Sequence, residues 1–158
     1  MASHNPLHSN RSQIYMLAVL RYSDKTVVAT YSPSKDVTKE GIRECVAGNA
    51  QMTPGRRYTS QGNIQAIHYS TDAQGRVYAI VTNPNYPSRV AFAAIDELQS
   101  EFADFGSQVA AAGEDGLSKA SKLTLKAIAD KSVSCNTWPL PPAIRWLILQ
   151  LNSVASWY

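Results

Sequence analysis

With 158 residues, 44% of them hydrophobic and 17% charged, the chain has room for one domain with a substantial core. Its net charge of +3 is spread thinly, with Arg56-Arg57 as the single basic doublet, so nothing implies a nucleic-acid partner. No run approaches the ~18 consecutive apolar residues that suggest a membrane-spanning helix.

Residues 1–12 are polar, carry His4 and His8, and read as a disordered arm without the apolar stretch of a signal peptide. Residues 13–21 (QIYMLAVLR) alternate so that both faces are apolar, which predicts a strand covered on both sides. A turn at Tyr22-Ser23-Asp24-Lys25 leads to a second strand over 26–31, making a hairpin. A helix is predicted over 37–47, with Ile42, Cys45 and Val46 on one face; Gly41 weakens it and Gly48 ends it.

Three more strands follow at 55–60, 63–70 and 75–82, joined by Gln61-Gly62 and by the turn from Asp72 to Gly75. The first of them, GRRYTS, is too polar for a sheet interior and suits an edge. Asn83-Pro84-Asn85 then breaks the chain. From Tyr86 to Gly106, Ala91, Ile95, Leu98, Phe102 and Phe105 recur at helical spacing, opposite an acidic and polar face. Pro87 and Ser88 suit the opening turn of this helix, and Gly106 suits its stop. Residues 107–116 read as a small acidic loop, and 117–131 as a second helix with Ala120, Leu123, Ala127 and Ile128 inward. The expected order is ββαβββαα: an α+β fold with a five-stranded antiparallel sheet, one helix on one face and two on the other.

Catalytic chemistry has no visible carrier. His68 sits in mid-strand, where a satisfied or exposed side chain is the ordinary outcome. There is no HExxH, no GxSxG, no Walker loop and no GxGxxG. Asp96-Glu97 and Glu114-Asp115 are adjacent pairs, which are not expected to converge on one point. Cys45 and Cys135 show neither CxxC nor metal-ligand spacing, so a reduced cytoplasmic compartment is the default. The expectation is therefore no catalytic residue, no metal and no cofactor.

Residues 132–158 change character. They hold all three tryptophans, three of the eight prolines and one charged side chain, Arg145. Ile144, Leu147, Ile148, Leu151 and Val154 recur at helical spacing after the prolines. Such a segment must bury itself, bind a membrane interface or drive association. Pro139-Leu140-Pro141-Pro142 also fits the loose PxxP form, which is common by chance.

Over about residues 13–131 the chain resembles a longin domain, whose architecture is profilin-like. The resemblance is most specific at Asn85-Tyr86-Pro87-Ser88-Arg89-Val90-Ala91-Phe92, which is similar to the start of the second helix in the prenylated R-SNARE longins of the Golgi. Ile14-Tyr15 through Leu20 resembles the family's first strand, and Glu101-Phe102 its helix end. The resemblance implies a non-enzymatic regulatory and sorting module of vesicle traffic, cytoplasmic and peripheral on Golgi or other endomembranes. Its implied partners are SNARE or trafficking proteins, held in an apolar groove between the first helix and the third strand. By face and position, Ile42, Cys45, Val46 and Tyr58 would line that groove.

The likeness stops near the end. Only 27 residues follow Lys131, where a SNARE segment needs roughly sixty residues of heptads, and prolines interrupt them. The expected domains are thus the 1–12 arm, a longin domain at 13–131 and an apolar tail at 132–158. Ile144, Trp146, Leu147, Ile148 and Leu151 are the tail's candidates to fill the groove; contact with a membrane interface is the second expectation for that tail. The competing reading of the whole chain is a small subunit of an adaptor or tethering complex with the same architecture.

Overall fold

The computed structural model describes residues 13–134, apart from the side chains of 133 and 134. Both the 1–12 arm and the tail candidates Ile144, Trp146, Leu147, Ile148 and Leu151 lie outside the described residues. The elements are β1 (Ile14–Arg21), β2 (Val27–Tyr31), α1 (Lys39–Gly48), β3 (Arg57–Gln61), β4 (Ala66–Thr71), β5 (Arg76–Thr82), α2 (Ser88–Ala103), α3 (Gln108–Ala111) and α4 (Ser118–Ser134). The strands form one sheet in the order β2-β1-β5-β4-β3, and each neighbouring pair is antiparallel.

β1 and β5 lie at the centre because they are apolar on both faces. Leu17, Val19, Tyr78 and Ile80 point to the side covered by α2, α3 and α4. Met16, Ala18, Leu20, Val77, Ala79 and Val81 point to the side covered by α1 alone. Burying each large side chain contributes roughly 1.5–3 kcal/mol, so this doubly covered pair of strands carries much of the core. The expected five-stranded antiparallel α+β fold is present, with a single helical turn, α3, added on the thicker side.

α2 buries Ala91, Ile95, Leu98 and Phe102 as the spacing predicts, and Phe105 packs partly against the same core. Pro87 occupies the N-cap position and no side chain caps the helix, so Ser88 does not play the capping role its hydroxyl suggested. α2 ends at Ala103 with Asp104 as its C-cap, so Gly106, at φ 48° in the left-handed region, lies in the turn beyond the helix and not at the stop expected of it. Arg76 donates to the carbonyl oxygens of Phe102 and Gly106, at 3.2 and 2.9 Å, supplying partners to that end of the helix.

The inward face of α4 corrects the sequence reading. Ala120, Leu123 and Ala127 face outward, and Leu123 is 81% exposed. The buried face is Leu117, Ser121, Leu125, Ile128, Ala129 and Ser132, sharing only Ile128 with the expectation. Two serines fit there because Ser121 Oγ donates to the Leu117 carbonyl and Ser132 Oγ to the Ile128 carbonyl, satisfying both hydroxyls within the helix. The 107–116 segment is also not a plain loop, since it contains α3. The boundary expected after Lys131 falls inside α4, whose end is tied back when Tyr86 Oη donates to the Ser132 carbonyl at 3.1 Å.

A candidate protein-binding face

The two edges of the sheet are built differently. β2 is sealed by the segment that enters α4. Asp115 and Leu117 donate backbone N–H groups to the carbonyls of Val27 and Val28, at 2.8 and 2.9 Å. In return, Val27 N–H donates to Glu114 and Thr30 N–H donates to Ser118 Oγ. Glu114 and Asp115, not expected to converge, both meet Lys39 of α1, and Glu114 also meets Arg43. This ion network ties α1 to the segment that covers β2. Partial burial works against both carboxylates, but hydrogen bonds from Arg43 and Lys39 hold Glu114 and Asp115 below their usual range.

β3 is the other edge, and among the described residues no strand lies beyond it. The edge position expected for GRRYTS is therefore the one observed. Pairing of Tyr58 with Tyr69 and of Ser60 with Ile67 puts these four on the α1 side of the sheet. Arg57, Thr59 and Gln61 occupy the α2 side. There Arg57 reaches Asp96 at 3.0 Å and lies over the Phe92 ring, while Gln61 donates to the Pro84 carbonyl.

Next to this edge, the four residues assigned to a groove divide into two pairs. Ile42 and Val46 are wholly buried in the layer between α1 and the sheet, and in this conformation present no surface. Cys45 and Tyr58 are half-buried and pack against that layer from its margin. Tyr58 stacks on Tyr69 with ring centroids 5.3 Å apart, and its hydroxyl accepts the Thr53 N–H at 2.8 Å. Asn49 Nδ2 donates to Tyr69 Oη, fixing the chain that leaves α1. Gly41 completes the wall: a Cβ placed there would lie 3.4 Å from Gln65 Nε2 and 3.9 Å from Ile67 Cδ1. Tyr69, Ile67, Gln65 and Gly41 were not read as part of this face from the sequence. Alternation of Ile67 and Tyr69 with Ala66, His68 and Ser70 was the signal for two of them.

The hairpin that carries β3 and β4 turns through residues 62–65, longer than the dipeptide expected. Gly62 N–H donates to the Gln65 carbonyl, and a Cβ at Gly62 would sit 2.8 Å from that oxygen, so the turn requires glycine. Ile64, within the turn, is 83% exposed.

His68 is buried on the α2 side, edge-on to Phe92 with centroids 5.5 Å apart. Thr82 Oγ1 donates its one hydrogen to the Asn83 carbonyl, so it accepts from His68 Nε2–H at 3.2 Å. Nδ1 then accepts from the Thr59 hydroxyl at 3.1 Å, linking the histidine to the edge strand. Burial pushes the imidazole pKa down. This is a structural histidine with both ring nitrogens satisfied by threonine hydroxyls.

Among the described residues, no group of three or more His, Cys, Asp and Glu side chains is arranged to hold a metal, and no helix is long and apolar enough to cross a membrane. Among the described residues, the site therefore consists of a strand edge with no neighbouring strand, bordered by aromatic and small side chains.

An α+β domain with a five-stranded antiparallel sheet, one helix on one face and the remaining helices on the other, defines the class. The chain belongs to the longin family: the family model, described as a regulated-SNARE-like domain, matches residues 28–125. That match begins inside β2, and β1 completes the fold on its N-terminal side. No curated protein matches the chain. Longin domains are regulatory modules of SNARE-like trafficking machinery, and they are not enzymes.

Proposed function

We propose that this chain is a regulatory and sorting module of the R-SNARE longin type found at the Golgi, working by protein–protein binding on the α1–β3 face. The observation that carries the reading is the asymmetry of the edges: β2 is sealed, whereas β3 offers a strand edge beside Cys45 and the Tyr58–Tyr69 stack. An extended segment added to β3 gains main-chain hydrogen bonds, and its alternate side chains meet Tyr58, Cys45 and the Gly41–Gln65 margin. Ile42 and Val46 support this face from beneath; they add to its apolar surface only if α1 shifts outward on binding. SNARE or sorting proteins are the partner class, and the place of action is cytoplasmic, peripheral on Golgi or endomembranes.

The test is capture from cytosol on the immobilised full chain, with Tyr58→Asp and Cys45→Arg as variants. Loss of SNARE or sorting partners from folded variants supports the reading. Retention of every partner by both overturns it, and recovery of a stoichiometric coat or tether complex would favour the adaptor or tethering subunit.

A further inference from the structure

The chain has two places where a hydroxyl residue precedes proline, Ser32-Pro33 and Thr53-Pro54, and a basic residue stands two positions after each proline, Lys35 and Arg56. Hydroxyl, proline, any residue, base is the pattern that proline-directed protein kinases read. Proline brings no N–H to be left unpaired beside the reacting hydroxyl, and the base supplies a charge for an acidic subsite. The fold separates the two candidates. Ser32 Oγ is engaged with the carbonyls of Tyr15 and Ser34, which ties it to the central strand β1. Thr53 is exposed, and its hydroxyl makes no hydrogen bond among the described residues.

Thr53 stands in the 49–56 connection between α1 and β3, which carries no helix or strand. Thr53-Pro54-Gly55-Arg56 forms a tight turn: Arg56 N–H donates to the Thr53 carbonyl at 3.1 Å, with Gly55 at φ 79° in the third position. A kinase reaches Thr53 and Pro54 by opening that bond and the bond from Thr53 N–H to Tyr58 Oη. The foot of the turn stays on β4, because Gly55 N–H donates to the Thr71 carbonyl and Ser70 Oγ to the Arg56 carbonyl. The Arg56 side chain is exposed and makes no ion pair among the described residues, so its charge is available to be read.

We propose that Thr53 is a phosphoacceptor for a proline-directed protein kinase, and that its phosphate switches the α1–β3 face from binding to release. Thr53 Oγ1 forms a bond to the γ-phosphorus of ATP, and the bond from that phosphorus to the β–γ bridging oxygen breaks. ADP leaves with the electron pair, and the hydroxyl proton passes to the kinase's base. The product carries about −1.5 to −2 charge at neutral pH, on the residue whose N–H meets Tyr58 Oη at 2.8 Å. That phenol accepts the Thr53 N–H and keeps its own hydrogen for a phosphate oxygen. A hydrated dianion then sits at the edge of the Tyr58–Tyr69 stack, where an apolar partner must strip its water to bind. The switch rests on the binding role proposed for that face; the phosphoacceptor assignment stands without it.

The test incubates the folded full chain with ATP and a cyclin-dependent protein kinase, and locates the modified residue by mass spectrometry. Thr53 is expected to take nearly all the phosphate. Thr53→Val should abolish incorporation, Arg56→Ala should slow it severalfold, and Ser32→Ala should leave it unchanged. Modification at Ser32 instead, modification of Thr53 only after denaturation, or no incorporation at all would overturn the assignment. The switch is read by partner capture on the unmodified chain, on the chain phosphorylated at Thr53, and on that chain after phosphatase treatment. Loss of SNARE or sorting partners on phosphorylation, with recovery after phosphatase, is the expected result; capture that phosphorylation leaves intact overturns the switch. If Tyr58→Asp and Cys45→Arg keep every partner, the binding role fails and the switch with it, while mass spectrometry still decides the site at Thr53.

Discussion

The edges at β2 and β3 meet the same physical problem with opposite solutions. A terminal strand leaves backbone N–H and C=O groups available for any extended chain. At β2 these groups are consumed by residues 114–118, and the seal is anchored through Lys39 and Arg43 of α1. At β3, among the described residues, no segment covers the strand, which is polar and carries one stacked tyrosine on its α1 side. A sheet needs its outermost strands protected, but a binding module needs one of them reachable. The contrast shows one edge built into the fold and one left open, and the open one is the edge proposed above for recognition.

That assignment is most directly broken at the seal. Leu117 is buried while its N–H holds the Val28 carbonyl, so Leu117→Ala removes core packing at the point where the cover grips the strand. The expected loss is about 2–5 kcal/mol in urea denaturation. Ser60→Ala, exposed on the open edge, should change stability by no more than about 0.5 kcal/mol. Comparable losses at the two positions would mean that β3 is as structurally committed as β2.

The ion network should give a smaller, pH-dependent effect. Glu114 and Asp115 titrate lower in the folded chain than in the unfolded one, so the native state binds fewer protons. Their contribution is in place above roughly pH 4.5, their unfolded range, and is lost as pH falls through the lowered folded values. These side chains are 44% and 40% exposed, so screening limits Glu114→Gln with Asp115→Asn to about 1 kcal/mol at neutral pH. The gap between variant and parent should close in acid; a gap that persists there would show that the charges are not what anchors the seal.

His68 brings the open edge its own window. Its folded pKa lies below the unfolded ~6.5, so stability falls as pH drops below that value, by at most about 1.4 kcal/mol per pH unit. Arg57 and Asp96 pair with each other beside the Phe92 ring, and it is burial that opposes an imidazolium. Replacing His68 with Gln should flatten the denaturation midpoint between pH 7 and 5.5. An unchanged slope would locate the proton uptake elsewhere.

How far the sequence reveals these differences depends on what each element uses for burial. β1 and β5 are legible because both faces are apolar, and α2 because one apolar face repeats over its length. α4 misleads because Ser121 and Ser132 are buried and satisfied by their own helix, while Ala120, Leu123 and Ala127 face out. Polarity by itself then points to the wrong face. The seal on β2 is illegible for another reason: it depends on hydrogen bonds between groups far apart in the chain, as from Val27 N–H to the Glu114 carboxylate, 87 positions away. Depth was hidden too. Periodicity puts Ile42, Cys45 and Val46 on one side of α1 without showing that Cys45 alone reaches the margin.

Gly41 offers the smallest change and the finest test of the recognition edge. It lies inside α1, where alanine is favoured over glycine by roughly 0.5–1 kcal/mol. The space beside it admits one methyl group, since the nearest atoms to an added Cβ are 3.4 and 3.9 Å away and the closer one ends the Gln65 side chain. Gly41→Ala should therefore raise stability by about that amount, seen as a higher urea midpoint with an unchanged slope. The same methyl fills the margin between α1 and the β3–β4 hairpin, where an incoming segment would place a side chain. Partner capture should weaken although the domain is more stable. Opposite movements of stability and binding are difficult to obtain from a residue that serves packing alone. If Gly41→Ala gains stability and keeps full binding, the partner does not approach along this wall.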